Sequence, residues 1–195
     1  MIIVITPEEI VPNETEIINE LFQEGLDLLH IRKPFINSEE LANFIQKIDS
    51  EFHHQLVLHS HYDLAKDFDI SRFHFKEADR QNNLFKSFTD QIISTSVHNI
   101  ETFNELNEEW EYAFISPAFP SISKKGYGEN STVLTDIKKR NNSNIKLIAL
   151  GGINEKNINE IFESEIDGVA LSGAIWESNE PLNVFKKCRQ NVLSQ

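Results

Sequence analysis

Residues 145–174 read IKLIALGGINEKNINEIFESEIDGVALSGA, and this stretch decides the fold. It contains two short apolar runs, Ile145–Leu150 and Gly168–Leu171, which are rich in Ile, Leu, Val and Ala. Between them Asn154 can cap a helix over Glu155–Ser164. Two near-continuous apolar strands joined by a helix are typical of a parallel strand–helix–strand unit that is buried on both faces.

The same unit recurs along the whole chain. Eight apolar runs predict strands, and helical patterns separate most of them: Ile2–Thr6, Leu26–Ile31, Gln55–His59, Arg72–Phe75, Gln91–Thr95, Tyr112–Ser116, Ile145–Leu150 and Gly168–Leu171. Eight such units predict an α/β fold, a (β/α)₈ TIM barrel, and the lack of a Pro-, Gly- or Ser-rich linker predicts a single domain over residues 1–195. The alternative is an open doubly wound sheet, which usually has five or six strands.

Several helix starts can be predicted from capping residues. Asn13-Glu-Thr-Glu16 has the form of a capping box, because an acceptor is followed three residues later by a carboxylate. Asn37 and Asn99 can each cap a helix, and Pro181 fits the first turn of the last helix. The helix after the fourth strand is weakly indicated, since residues 79–88 show little periodicity.

Charge and composition exclude several classes of protein. The chain has 18 Lys and Arg residues against 31 Asp and Glu residues, a formal net charge of -13, which disfavours duplex nucleic acid and anionic membranes as partners. Apolar runs such as Leu147–Leu150 fall far short of the ~20 residues that span a bilayer. The N-terminus has no basic leader, and Cys188 is the only cysteine. We therefore expect a cytoplasmic protein without an internal disulfide.

In a (β/α)₈ barrel the site lies where the strands end. Five of the seven histidines fall at the predicted strand ends: His30, His59, His61, His74 and His98. Small residues follow strands seven and eight, at the usual phosphate position of barrel enzymes: Gly151, Gly152, Ser172 and Gly173. The alternative is that the Gly-Gly pair only forms a tight strand-to-helix turn.

Two cationic regions are candidates for binding an anionic substrate. The segment 117–133 follows strand six without periodicity, and so long a connection usually forms a lid or binding loop. It carries two lysines, Lys124 and Lys125, directly after Ser121 and Ser123. The alternative is a solvated loop with incidental lysines. Arg32 can bind a carboxylate or phosphate, or else form a salt bridge to a neighbour such as Glu77.

The histidines allow two kinds of chemistry. His98 follows Ser96 at a strand end, and an imidazole that titrates near neutrality is a natural proton carrier. The alternative is a capping or surface histidine. His59 and His61 would face the same way in a strand and, with His74 or His98, could form a metal site. No carboxylate stands at ligand spacing in the same loops, so we expect no metal site.

Together these motifs resemble the thiamine phosphate synthase/TenI superfamily, (β/α)₈ proteins of thiamine biosynthesis. Six matching stretches follow the family's order over nearly the whole chain: Leu29–Lys33, Asp63–Ala65, Ser96–His98, Ser116–Lys125, Leu147–Ile153 and Asp167–Ala174. Any one of them is a weak signal, but six in order are specific.

The resemblance implies one of two activities. The synthase joins a pyrimidine methyl diphosphate to a thiazole phosphate and uses Mg²⁺, whereas the tautomerase converts a carboxylated thiazole phosphate to the aromatic ring. Both bind a thiazole phosphate, and the resemblance assigns that phosphate to Gly152, Ser172 and Gly173. It also matches the synthase's Thr-x-Thr-Lys-like stretch to Ser121, Ser123 and Lys124.

Departures from the synthase pattern favour the tautomerase branch. Synthases carry an Asn-Asp pair after strand three, where this chain has His59 and Ser60. The synthase's Arg-x-Lys is here Arg32-Lys33-Pro34, so the second cation is displaced by one residue. Asp79 alone is left to match the second acidic ligand, whereas Ser96-Val-His98 resembles the tautomerase, in which the matching histidine is the proposed acid/base.

We therefore expect a thiazole tautomerase-like enzyme in which His98 moves the proton and Ser96 assists. Substrate contacts are expected from Arg32, Lys33, His59, Ser121, Ser123, Lys124, Gly151, Gly152, Ser172 and Gly173. The expected partner is a small-molecule thiazole phosphate, without nucleic acid, membrane or cofactor, and self-association is left open. The alternatives are thiamine phosphate synthase, which would use Mg²⁺, and a catalytically silent ligand-binding or regulatory relative.

Overall fold

The structure, a computed structural model, describes residues 1–88, 90–122, 126, 128–162 and 164–194. Eight parallel strands form a closed barrel in sequence order. They are β1 (Ile2–Ile5), β2 (Leu28–Ile31), β3 (Leu56–Leu58), β4 (Arg72–Phe75), β5 (Ile92–Val97), β6 (Trp110–Ile115), β7 (Lys146–Leu150) and β8 (Gly168–Leu171). Pairing of Ile3 with Ala170 joins β1 to β8 and closes the barrel. The predicted (β/α)₈ fold is confirmed, and the open-sheet alternative is wrong.

The helices on the outside of the barrel are mostly short. They are α1 (Glu14–Gln23), α2 (Ser38–Ile45), α3 (Glu77–Gln81), α4 (Ile100–Asn104), α5 (Val133–Asp136), α6 (Ile158–Ile161), α7 (Gly173–Trp176) and α8 (Pro181–Leu193). Short 3₁₀ segments are Ser50–Gln55, Tyr62–Lys66, Leu84–Ser87 and Ile137–Lys139. Between β3 and β4 the connection is the 3₁₀ turn Tyr62–Lys66, so that unit has no α-helix.

The predicted helix starts are partly confirmed. Asn37 forms a capping box with Glu40, in which the Asn37 side chain accepts from the Glu40 amide and the Glu40 carboxylate accepts from the Asn37 amide. Asn99 accepts from the Thr102 amide at 2.7 Å and so caps α4. The box expected at Asn13 is absent, because that residue is left-handed, with φ 56°, and its side chain makes no cap hydrogen bond.

Side chains alternate between the barrel interior and the outer layer under the helices. The interior contains an apolar group: Ile3, Ile5, Leu28, Val57, Tyr112, Phe114, Ile148 and Ala170. His30, His74 and Ser94 are buried with it, since His30 packs on Phe114 and His74 bonds to Ser94. The barrel interior therefore combines an apolar lining with polar side chains from β2, β4 and β5. No helix in the described ranges is long and apolar enough to cross a membrane.

Candidate active site

Three histidines meet at the mouth of the barrel, and we call them the histidine triad: His30, His59 and His74. His30 is on β2 and His74 on β4, while His59 directly follows β3. His30 Nδ1 lies 2.8 Å from His59 Nε2, so one of these nitrogens donates to the other. The His59 and His74 rings stack with their centroids 4.4 Å apart. Adjacent parallel strands thus bring into one cluster residues that are far apart in the sequence.

Neighbouring side chains fix the orientation of the triad. Tyr112 Oη lies 2.7 Å from His30 Nε2. Ser94 Oγ lies 2.9 Å from His74 Nδ1 and 3.3 Å from the Phe73 carbonyl oxygen. Ser96 Oγ lies 2.9 Å from His74 Nε2, so a serine hydroxyl bonds to each ring nitrogen of His74. The triad is a hydrogen-bonded unit rather than a set of independent rings.

The triad is neutral at physiological pH. Burial lowers the pKa of His30 and of His59 well below 6.5, and neighbouring triad rings lower each further. Burial, followed by the charge of Arg32, lowers the pKa of His74 to about 3. Uncharged imidazoles offer lone pairs to a proton donor or to a metal ion.

Arg32 is a cation beside the triad. Its charge lowers the pKa of both His59 and His74. The guanidinium pairs with Glu8 at 2.6 Å and is 42% exposed, so the predicted alternative of an ion pair is confirmed, with Glu8 as the partner in place of Glu77. Because the pair is open to solvent, Arg32 can exchange Glu8 for a phosphate or carboxylate on a ligand.

The expectation for Lys33 is wrong. Its side chain is fully buried and ion-paired with Glu14 at 2.7 Å. It also donates to the Glu9 carbonyl at 2.8 Å, and its ammonium lies 5.2 Å from the centre of the Phe44 ring. Arg32 and Lys33 follow the end of β2, and the Lys33 side chain is directed to Glu14 on α1, whereas the charge of Arg32 acts on the triad. Lys33 therefore stabilises the packing of α1 and α2 outside the barrel and is not available to a substrate.

His98 lies at the mouth, separate from Ser96. Its Nδ1 is 3.0 Å from the Ser116 carbonyl, which accepts the Nδ1 proton. Its Nε2 lies 4.0 Å from a Glu77 carboxylate oxygen, and the side chain is 49% exposed. Ser96 instead bonds to His74. The expected pair of His98 and Ser96 is thus divided between two clusters, and only His98 has the exposure that a proton carrier needs.

The glycines after β7 pack against the loop after β6. Gly151 and Gly152 have φ values of 103° and 66°, and a Cβ on Gly152 would lie 2.2 Å from the Pro120 carbonyl oxygen. A Cβ on Gly173 would lie 3.2 Å from Ile122 Cβ. The loops after β6, β7 and β8 therefore converge. The Gly-Gly pair forms a close turn after β7, which is the alternative to phosphate binding given above. Phosphate binding by these glycines stays a prediction.

The remaining predicted residues lie around these loops. Ser172 directly precedes α7 and makes no side-chain cap. Ser121 is on the loop after β6 and has an interaction partner. Ser123 and Lys124 lie outside the described residues. His61, which strand geometry would place beside His59 in a metal site, has φ 52° and bonds to the Ile36 carbonyl at 3.1 Å. It therefore turns away from the triad.

Comparison with known proteins identifies the family. The family model described as thiamine monophosphate synthase matches residues 2–175. The chain belongs to the thiamine monophosphate synthase family. The match covers every strand of the barrel and therefore all of the strand ends that form the mouth.

Individual relatives agree with this family. The thiamine-phosphate synthase of Clostridium tetani is 26% identical over 181 residues, 90% of this chain and 85% of the relative. That of Oceanobacillus iheyensis is 29% identical over 185 residues, 88% of each chain. A thiamine phosphate pyrophosphorylase structure from Bacteroides thetaiotaomicron is 24% identical, with a TM-score of 0.80 over 100% of this chain and 98% of that one. These findings place the chain among the barrel enzymes of thiamine biosynthesis, and they favour the synthase alternative over the tautomerase.

The described residues do not fit the Mg²⁺ that the resemblance implies for a synthase. Mg²⁺ takes oxygen ligands, usually one or two carboxylates together with substrate phosphates. Two carboxylates near the mouth already have cationic partners, Glu8 with Arg32 and Glu77 with Arg80 at 3.4 Å. Of the acidic positions that the resemblance implies, Asp79 on α3 is present, whereas the Asn-Asp pair after strand three is here His59 and Ser60, which supply no carboxylate.

Proposed function

We propose that this member of the thiamine monophosphate synthase family joins a pyrimidine methyl diphosphate to a thiazole phosphate. The observation that carries the proposal is the family match over residues 2–175, which spans every loop of the mouth. The relatives named thiamine-phosphate synthase support it, because they are matched over most of their length. In this reaction a bond forms between the thiazole nitrogen and the methylene carbon. The bond from that carbon to the diphosphate oxygen breaks, and diphosphate leaves.

The chain's own residues divide the work between two ends of the mouth. The converging loops at Gly152, Ser172 and Gly173 would hold the thiazole phosphate, since backbone amides can approach a ligand closely there. Arg32 would meet the diphosphate, whose negative charge grows on the leaving oxygen. The neutral triad beneath Arg32 adds no negative charge that would repel either substrate. Binding through both phosphates would align the ring nitrogen with the methylene carbon.

A second candidate function, the tautomerase, is supported by the position of His98. Its Nδ1 proton is bound to the Ser116 carbonyl, and its Nε2 is on an exposed edge of the ring, 4.0 Å from a Glu77 carboxylate oxygen. In its neutral form such an imidazole can accept a proton from a carbon of a bound thiazole and return it elsewhere on the ring. This reaction does not need the oxygen ligands for Mg²⁺ that the described residues lack, because proton transfer by His98 releases no diphosphate.

A paired turnover assay tests the proposal. Purified protein is supplied with the pyrimidine diphosphate plus thiazole phosphate, or with the carboxylated thiazole phosphate, each with added Mg²⁺ and with EDTA. The proposal expects thiamine phosphate and diphosphate in equal amounts from the first pair. Aromatisation without thiamine phosphate would replace it with the tautomerase. Tight binding of thiazole phosphate with neither turnover would indicate the silent relative.

A further inference from the structure

The histidine triad has the composition and spacing of a site for a transition-metal ion. One nitrogen from each of His30, His59 and His74 lies within 4.8 Å of the others. Among the described residues, these three histidines form a group of candidate metal ligands. Imidazole nitrogen suits Zn²⁺, Co²⁺ and similar ions, whereas Mg²⁺ takes oxygen. We propose that the triad binds one divalent transition-metal ion and that the physiological ion is Zn²⁺.

The distances are close to those that the ion needs. Two nitrogens bound at about 2.0–2.1 Å in tetrahedral geometry lie about 3.3 Å apart. His30 Nδ1 and His59 Nε2 are 2.8 Å apart, so they would separate by roughly half an ångström. The Tyr62 hydroxyl lies within 3.1 Å of the His59 and His74 carbonyls, which holds the two backbones together. The other pairs of candidate nitrogens lie within 4.8 Å of each other, so the rings would have to close by up to about 1.5 Å to bind one ion.

Metal binding also needs a defined arrangement of the triad protons. With its proton on Nδ1, towards Ser94, His74 would offer Nε2 to the ion, which would displace the Ser96 hydroxyl from that nitrogen. His30 can carry its proton on Nε2, where the Tyr112 oxygen is 2.7 Å away, and offer Nδ1 to the ion. His59 Nε2 is then the donor to His30 Nδ1, so His59 would have to move its proton to Nδ1 before Nε2 could bind the ion. Such outer partners hold a metal-binding histidine in one tautomer and one orientation.

Three protein ligands leave the fourth position of a tetrahedral ion open, and here it faces the mouth. His59 is only partly buried, and Ser96, beside His74, is also partly exposed. Sites with three protein ligands and one open position are typical of catalytic zinc, not structural zinc. An ion there, next to Arg32, would increase the positive charge available to a phosphate-bearing ligand.

Direct metal titration tests this inference, and it does not depend on the proposed function because the measurement is binding. Tag-free protein is treated with chelator, dialysed and titrated with Co²⁺, and the visible absorption of four-coordinate Co²⁺ is recorded. We expect one Co²⁺ per chain, displaced by Zn²⁺. His59→Ala and His74→Ala should each weaken binding by about 100-fold or more, and Tyr112→Phe by roughly 10–100-fold, as for the loss of an outer partner.

The matched control is His54→Ala, which removes an exposed histidine away from the triad and should leave the titration unchanged. Circular dichroism confirms that each variant is folded. If a triad variant does not fold, Tyr112→Phe still tests the site. The inference is overturned if the wild-type protein shows no four-coordinate absorption. It is also overturned if His54→Ala abolishes binding while the triad and Tyr112 variants keep it.

Discussion

Replacing Lys33 with methionine should strongly destabilise the protein without a direct effect on substrate binding. The Lys33 and Glu14 side chains are 0% and 1% exposed, and their ion pair is 2.7 Å long. Removal of one partner from a buried pair leaves an uncompensated charge and costs about 3–5 kcal/mol. For a domain of about 150–250 residues each kcal/mol lowers Tm by about 2–4 °C, so the expected fall is roughly 6–20 °C.

A double-mutant cycle isolates the cause. Glu14→Gln combined with Lys33→Met removes both charges and should recover much of the lost stability, because the cost lies in the unpaired charge. The control is Lys139→Met, which breaks an exposed ion pair with Asp136 and should leave Tm unchanged. Thermal unfolding followed by circular dichroism gives Tm for the wild type, both single variants, the double variant and the Lys139→Met control. An unchanged Tm in Lys33→Met, with a raised KM for a phosphorylated substrate, would refute the assignment of Lys33 to the packing outside the barrel.

Three further predictions concern pH, the glycine loop and His98. The pKa of His74 is about 6.5 in the unfolded chain but about 3 in the folded protein. The free energy of unfolding should therefore fall on acidification from pH 7, by roughly 2 kcal/mol at pH 5 from this residue. In urea unfolding measured at each pH, His74→Gln should reduce that dependence on pH. Gly152→Ala should weaken the binding of inorganic phosphate measured by calorimetry, because the added Cβ would clash with Pro120. Gly126→Ala is the control and should leave phosphate binding unchanged, because Gly126 is also at positive φ but has no described atom within 4 Å of the added Cβ. His98→Asn should leave thiamine phosphate formation within a few-fold of wild type; a loss of about 10²–10⁴-fold in aromatisation, with binding intact, would assign the proton transfer to His98.

The barrel could be predicted because its signal repeats. Each strand is a short apolar run that is buried on both faces, and eight such runs in order leave few other topologies. The helix ends were less predictable, because tertiary contacts override local capping. Asn13 has the residues of a capping box, but the Glu14 carboxylate accepts from the Val11 amide at 3.0 Å and pairs with Lys33, and Asn13 is left-handed.

The position of the candidate site could be predicted from the sequence, but the contacts among its side chains could not. His98 and Arg32 are found at the mouth as expected, since both directly follow strands. Alternation along β2 does not separate Arg32 from Lys33, because both follow the end of the strand. The triad could not be found from spacing, because His30 and His74 meet His59 across three strands, and the nearest candidate in sequence, His61, leaves strand geometry after Ser60.

The reaction itself is the most direct test of the proposed function. Protein is incubated with the pyrimidine methyl diphosphate and the thiazole phosphate, with Mg²⁺, with Zn²⁺ and with EDTA, and thiamine phosphate and free diphosphate are quantified over time. The synthase proposal predicts equimolar formation of both products in at least one metal condition, and Arg32→Ala should lower that rate. Absence of thiamine phosphate in every condition, from protein that still binds the thiazole phosphate, would contradict it.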